Sequence, residues 1–380
     1  MFAHELSHIL GIADNYNNPF GVPPRRSYSG IWEMLSRGTF NGPGGPHSRW
    51  MIPPTGGASM GAQHMLRNKI DLQMVDEANV LRLSREALDE SGLVVARVLA
   101  RVVKPDADQL SGVNVAFGTG DKSQPCSPAV DPFCDGGGYQ NYTIEVVDRM
   151  GSDSFTPDSG VLLAKTKDQD RAPFEWVIDA NPQDIEMTDY VLPDGTPVLI
   201  TIGDYRQLSD ALFHAGADSG SEFEHVDAAN RLHFYVLDAH RTKSGELSYT
   251  VAIRSLDGAG PQRRGVRLLP AAGLPTGDGW ARCRFPLHNS GRAAVAGTHP
   301  EDVSAYLRSD VYRLSADAKT RGWSVWVPNE LTATEFGRTD RVTVYAKRES
   351  GSHLGRITLT ATSESDAGKD DTATCVAVAR

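Results

Sequence analysis

The sequence has no stretch approaching 18 consecutive apolar residues, so no helix that crosses a membrane is expected. No leader is expected in the sequence as read, because charged and polar residues occur from His4 onward. Positive charge is in deficit: 38 Lys+Arg against 48 Asp+Glu give a net charge of −10, which argues against a nucleic-acid partner. Cysteine is scarce. The four present include no C-x₂-C pair, which argues against a zinc ribbon. What remains is ordinary globular material, 40% hydrophobic and 23% charged. The 380 residues suffice for two or three domains.

The cysteines fall into two regional pairs. Cys126 and Cys134 flank a Pro/Asp-rich loop, and Cys283 and Cys375 lie near the two ends of a β-rich tail. This predicts the disulfides Cys126–Cys134 and Cys283–Cys375 and an oxidising, extracellular compartment. The second bridge would close a loop of about 90 residues, worth about 4–5 kcal/mol in the chain-entropy model.

The first 75 residues read as helix, loop, helix. The loop is rich in Gly and Pro, and its aromatic residues Tyr28, Trp32, Phe40 and Trp50 favour a folded, functional segment. "SMGAQHMLRNKIDL" reads as the second helix. From about residue 93 the pattern changes to β-branched runs bounded by Gly, Asp and Pro, among them "LVVARVLARVV", "YTIEVVD", "LHFYVLD" and "LSYTVAIRS". These predict an antiparallel β domain over 93–257. Residues 257–265 ("DGAGPQRRG") read as a linker. Short strands at sandwich spacing then fill 266–380.

The segment that carries chemistry is His4-Glu5-Leu6-Ser7-His8. Residues i and i+4 of a helix share a face, so His4 and His8 can both face one metal ion. Glu5 lies beside His4, where its carboxylate can reach a metal-activated water. Gly11 can take a positive φ and turn the chain sharply, bringing Asp14 back as a third, oxygen ligand. The expected cofactor is therefore Zn²⁺, held by His4, His8 and Asp14. Glu33 competes for the third position, and His47 and His64 are further candidates. Calcium is a lesser candidate cofactor, through loop acids such as Asp106, Asp108, Asp131 and Asp135, although no EF-hand spacing is present.

"HELSHILGIADNY", followed by the Trp-acid-Met segment "WEMLSRGTFNGPGGPHSRW", resembles the immune-inhibitor-A family of secreted bacterial zinc proteases. The family pattern G-x-x-D-x-Y is matched by Gly11, Asp14 and Tyr16. Met34 follows Trp32 by two residues where the family's Met turn would put it three after, and Leu35 stands in that place. "HMLRNKIDL" and "SGVLLAKTK" also resemble parts that follow that catalytic core. The tail from Tyr306 resembles Ig-like modules appended to secreted actinobacterial enzymes. The match is strong over about residues 1–75 and general elsewhere.

The resemblance implies zinc-dependent endopeptidase activity on protein or peptide substrates, with Glu5 as general base and secretion of the full-length form. Tyr28 is a helper candidate by proximity in sequence. The fold class implied is α+β, mostly β. It comprises a partial zincin-like helical catalytic subdomain over 1–92, the antiparallel β domain over 93–257 and an Ig-like β-sandwich over 266–380.

Zincin-like catalytic domains also have a sheet before the active-site helix, and only three residues precede His4. The chain therefore reads as a fragment, a misplaced start or a decayed gene, expected to show little protease activity alone and to leave the helix's apolar residues exposed. Two other readings stand beside the protease. One is a non-catalytic secreted binding or adhesion module with a vestigial zinc site. The other is a cytosolic metal-dependent hydrolase of small molecules. Cleavage specificity and oligomeric state are not readable.

Overall fold

The computed structural model describes residues 2–42, 60–294 and 303–379. Strands dominate, as the β-branched runs predict, and helices are few. In chain order the first elements are helices α1 (Phe2–Ile9), α2 (Leu66–Asp71) and α3 (Arg85–Ser91), with strands β1 (Val80–Ser84), β2 (Leu93–Leu99), β3 (Gly112–Ala116), β4 (Asn141–Val147), β5 (Gly160–Thr166) and β6 (Glu175–Val177). They are followed by β7 (Thr188–Val191), β8 (Pro197–Leu199), β9 (Glu224–Asp227), β10 (Leu232–Arg241) and β11 (Leu247–Ser255). The tail holds β12 (Arg267–Leu268), β13 (Ala271–Gly277), β14 (Trp280–His288), β15 (Ser309–Ala318), β16 (Trp323–Trp326), β17 (Leu331–Glu335), β18 (Thr339–Arg348), β19 (Leu354–Ser363) and β20 (Asp370–Val378). Among the described residues, no helix is long and apolar enough to cross a membrane.

The chain packs as two compact units. The first comprises Met1–Arg85, Arg97–His214 and Ala239–Tyr249, and the second Glu86–Ala96, Ala215–Asp238 and Thr250–Arg380.

Unit 1 is organised on a five-stranded sheet in the order β1-β3-β4-β5-β6. β1 runs parallel to β3, and the other pairs are antiparallel. Directly opposed residues of neighbouring strands share a face, so Leu162, Ala164 and Val177 lie on one side. Trp32, Met65 and Leu208 cover that side and complete a buried core. The covering segment is thereby fixed against the sheet, and α1 is tied to it through His4, which bonds Met34 O, and Ser7, which bonds His64.

That segment differs from the sequence expectation. The helix predicted over 59–72 begins only at Leu66. Residues 62–65 spend their N–H groups elsewhere: Ala62 N–H on Gly38 O (2.9 Å), Gln63 N–H on Asp153 Oδ1 (3.1 Å) and Met65 N–H on Glu33 Oε2. Leu66 N–H then bonds Glu145 Oε2 at 2.6 Å. For Gln63, Met65 and Leu66 the acceptors are buried carboxylates, whose charge-assisted bonds hold these donors outside a helical ladder, and Met65 is extended. The carboxylates are themselves compensated. Arg101 forks onto Asp153 at 2.7 and 3.0 Å, and Lys69 reaches Glu145 at 3.2 Å.

Unit 2 includes a nine-stranded arrangement. β16-β18-β14 and β20-β19-β15-β17 are joined through β13, which pairs with both β14 and β20. Both halves contribute to one core, including Phe285, Val344, Ile357 and Leu359. Cys283 on β14 and Cys375 on β20 are bonded within it, and Cys126 is bonded to Cys134 in unit 1. Both pairings are those expected from the cysteine positions. The strand periodicity is equally faithful: β14 alternates from Ala281 through Cys283, Phe285 and Leu287 on the core side.

Candidate metal centre

α1 ends in a turn that explains the spacing of its polar residues. Gly11 has φ +103°, its N–H donates to His8 O (3.0 Å), and Ile12 N–H donates to Ser7 O (3.3 Å). This pair of bonds is the Schellman closure of a helix, which places glycine just past the last turn. Space does not dictate the glycine, because an added Cβ would meet nothing within 4 Å. The backbone angle does. Beyond the turn, buried Ile12 packs with Leu35 and Phe174. Asn15, fully buried, locks the returning strand. Its Nδ2 donates to Ser29 Oγ (2.9 Å) and Glu175 O (2.7 Å), and its Oδ1 accepts from Phe174 N–H (3.0 Å).

The turn brings Asp14 back over the helix. His4 Nε2 lies 3.2 Å from Asp14 Oδ1, His8 Nε2 lies 3.4 Å from the same oxygen, and the two Nε2 atoms are 3.2 Å apart. His4 is buried, His8 is half-buried and Asp14 is half-exposed. Among the described residues this is where three or more His, Cys, Asp or Glu side chains converge closely enough for one ion.

Protonation follows from the outer hydrogen bonds. His4 Nδ1 contacts Met34 O at 2.9 Å, and His8 Nδ1 contacts Ile12 O at 2.8 Å. A carbonyl oxygen only accepts, so each Nδ1 carries the proton and donates. In the neutral imidazole this leaves both Nε2 atoms bare. Two bare nitrogens and a carboxylate oxygen then point at one another, an arrangement that calls for a cation between them. The spacing fits zinc. A tetrahedron with bonds of about 2.0–2.1 Å has edges of about 3.3–3.4 Å. The donor set and the outer carbonyls that fix the ring orientation also suit it.

The other candidates lie elsewhere. Glu5 is exposed beside His4 on α1. Glu33 is not part of the triad; it is fully buried and bonds His64 Nδ1 at 2.7 Å and Leu35 N–H at 3.0 Å. Burial pushes its carboxyl up, but His64 and the two backbone donors outweigh this and hold it below the usual value. His64 joins this second network, and its Nε2 meets Ser7 Oγ at 2.9 Å. Ser7 sits on α1 between the two histidines, so a strap from Glu33 through His64 ties the helix down. His47 lies outside the described residues. Tyr28 packs on Trp176 (5.9 Å) and under Arg25, whereas the tyrosine nearest the histidines is Tyr16, 6.1 Å from His4 between ring centroids. Burial first, then Asp14, pushes the Tyr16 phenol up to about 12. Of the calcium candidates, Asp131 accepts from Phe133 N–H (2.9 Å) and Asp135 pairs with Lys165 (3.0 Å).

Sequence reasoning missed Met34 O, the Ser7–His64–Glu33 strap and the Asn15 lock. Only Asn15 and Ser7 lie near the motif. The other face of α1, with Leu6 and Leu10, fronts a cavity of about 700 Å³ that Met34 and Met74 also line. Phe2 and Ile9 are exposed, 84% and 81%.

Comparison with known proteins follows the same direction. A family model described as a Peptidase M6-like domain matches residues 267–379, and one described as a middle domain matches residues 71–256. Neither range includes the metal triad. A protein of Arthroderma benhamiae described as a "Putative secreted metallopeptidase" is 54% identical over 98% of this chain, which spans 56% of that relative's length. These matches support a metallopeptidase family. Among solved structures, a FixG-related protein from Vibrio parahaemolyticus (9% identity, TM-score 0.22) aligns with 31% of this chain and 97% of its own. The N-terminal domain of PorA (14%, TM-score 0.21) aligns with 30% and 97%. At such scores the fold rests on the chain's own strands.

Proposed function

We propose that the chain carries the metal centre of a zinc metalloendopeptidase, with His4, His8 and Asp14 as ligands and Glu5 as general base. The observation that carries this is the convergence of two bare imidazole nitrogens and a carboxylate oxygen at 3.2–3.4 Å. When bound there, zinc would bring the pKa of a water towards 7 and polarise a peptide carbonyl. The chain's own residues do the rest. Met34 O and Ile12 O hold the two rings in the ligating tautomer. Glu5 takes a proton from the attacking water and passes it to the leaving amine. Tyr16 stays a neutral phenol near neutral pH. In the same reading residues 1–92 are part of a zincin-like domain, 93–257 an antiparallel β domain and 266–380 an Ig-like sandwich. Protein or peptide substrates and an extracellular location accord with the name of the fungal relative.

Metal analysis of the purified chain tests the centre. About one zinc per chain is expected, retained in Glu5→Gln and lost in His4→Ala/His8→Ala. Equal zinc in the double variant and the unmodified chain defeats the assignment. Where casein is hydrolysed, Glu5→Gln stops cleavage with zinc still bound; cleavage at the unmodified rate removes Glu5 from the role.

A further inference from the structure

Unit 2 carries a second site that owes nothing to the metal triad. β16, β18 and β14 lie side by side, and opposed residues share a face of the sheet. Arg282 opposes Tyr345, which opposes Trp326; Trp280 opposes Lys347, which opposes Ser324. The alternate residues Ala281, Cys283, Val344 and Ala346 are in the core. By parity the aromatic and basic row therefore faces away from that core. Trp326 is 41% exposed and stacks with Tyr345, ring centroids 5.3 Å apart and planes at 29°.

Trp280, Tyr345 and Trp326 line an open cleft of about 260 Å³, with Thr276, Gly277 and Asp278. Asp278 and Gly279 form the two-residue turn between β13 and β14, with φ +49° and +79°. Positive angles at both positions are the Asp-Gly hairpin signature, and they hold Asp278 at the cleft's end.

We propose that this cleft binds a saccharide. A pyranose ring is amphipathic: its C–H faces suit aromatic rings, and its perimeter hydroxyls suit a carboxylate and a hydroxyl such as those of Asp278 and Thr276. Two other ligands fit less well. A quaternary ammonium would seek the same rings, but Lys347 Nζ already lies 5.6 Å from the Trp280 ring. Arg282, whose Nε is buried without a hydrogen-bond partner, adds a second positive charge to that face. A proline-rich peptide also docks on aromatic grooves and wants donors for its carbonyls, yet the Trp326 indole N–H is already given to Asp218.

Calorimetric titration of the full chain with hexasaccharides of glucose, N-acetylglucosamine and galacturonate tests this, with a proline decapeptide alongside. At least one hexasaccharide is expected to bind, and the three arms separate neutral, acetylated and acidic sources. Trp326→Ala and Tyr345→Ala should each weaken binding about tenfold or more, which corresponds to 1.4 kcal/mol. Tyr345→Phe should keep it. Asp278→Gly, which the turn accommodates, should weaken it severalfold without touching the core, so the test survives if an alanine variant misfolds. The proposal is overturned if no hexasaccharide binds at millimolar concentration. It is equally overturned if Asp278→Gly and the folded aromatic variants bind as the unmodified chain does, or if only the proline peptide binds.

Discussion

In unit 1 the three ligand candidates lie within the eleven residues from His4 to Asp14, whereas the aromatic cleft of unit 2 draws Trp280, Trp326 and Tyr345 from three strands. The first site is assembled by one helical turn and one glycine. It then depends on distant residues only to be held still: Met34 O on His4 and His64 on Ser7. The second depends on register from the outset, because a one-residue slip of β16 or β14 against β18 would send its rings to the core. Local chemistry with distant support, against distant chemistry with local support, is what separates them.

Removing the bridge in unit 2 should give the largest effect. Cys283→Ser/Cys375→Ser is expected to cost that unit about 4–5 kcal/mol, from a closed loop of sequence separation 92. Zinc content should not change. Denaturant unfolding followed by tryptophan fluorescence, with metal analysis in parallel, checks both. Loss of zinc in this variant would show that the first site depends on the bridge of unit 2.

His64→Ala attacks the support of the first site. It leaves the fully buried Glu33 carboxylate without its ring partner, at a cost of about 3–5 kcal/mol. It should also weaken zinc binding by about 10–100-fold, as loss of an outer partner does. Competition against a chromogenic chelator reads the affinity directly. Unchanged affinity would show that the strap serves stability alone.

These two sites also differ in how far they could be read in advance. The closeness of His4, His8 and Asp14 around Gly11 was legible because helix periodicity and a positive-φ glycine act within one turn. Strands such as Leu232–Arg241 and Leu247–Ser255 were legible because a β-branched run bounded by turn residues has few other uses. The extended stretch before Leu66 was not, because its donors are taken by Glu33, Asp153 and Glu145, which come from remote parts of the chain. The parallel pairing of β1 with β3 was hidden for a similar reason: pairing partners are not written in either strand. The same holds for the cleft, whose three rings share a face only once the register is known.

Gly11→Ala is the milder cut at the first site. A Cβ at φ +103° is strained even with open space around it, by about 1–2 kcal/mol. The strain bears on the turn that returns Asp14, so zinc affinity should fall by about tenfold. The chelator competition applies again, and an alanine variant with full affinity would detach the turn from the ligand geometry.

The smallest effect concerns Glu175, fully buried in unit 1 with neither carboxylate oxygen hydrogen-bonded. Burial first, then Glu33 and Glu145, raise its pKa well above the usual value, partly offset by Arg67. A raised folded-state pKa means that the folded chain keeps a proton the unfolded chain releases. This contribution favours folding at low pH and is lost as pH rises above the unfolded value near 4.3. Glu175→Gln should therefore raise the melting temperature at pH 8 by about 2–4 °C per kcal/mol gained, with little change at pH 4. Equal shifts at both pH values would contradict the assignment.

The Cys283–Cys375 bridge has one more consequence. It joins the second long strand of the tail to the last, so a backbone cut anywhere between them leaves two pieces still covalently linked. For a molecule exposed to peptidases, such a nick would pass unseen on a non-reducing gel and appear as two bands only after thiol treatment. The bridge thus converts what would be dissociation of a clipped domain into a silent scar.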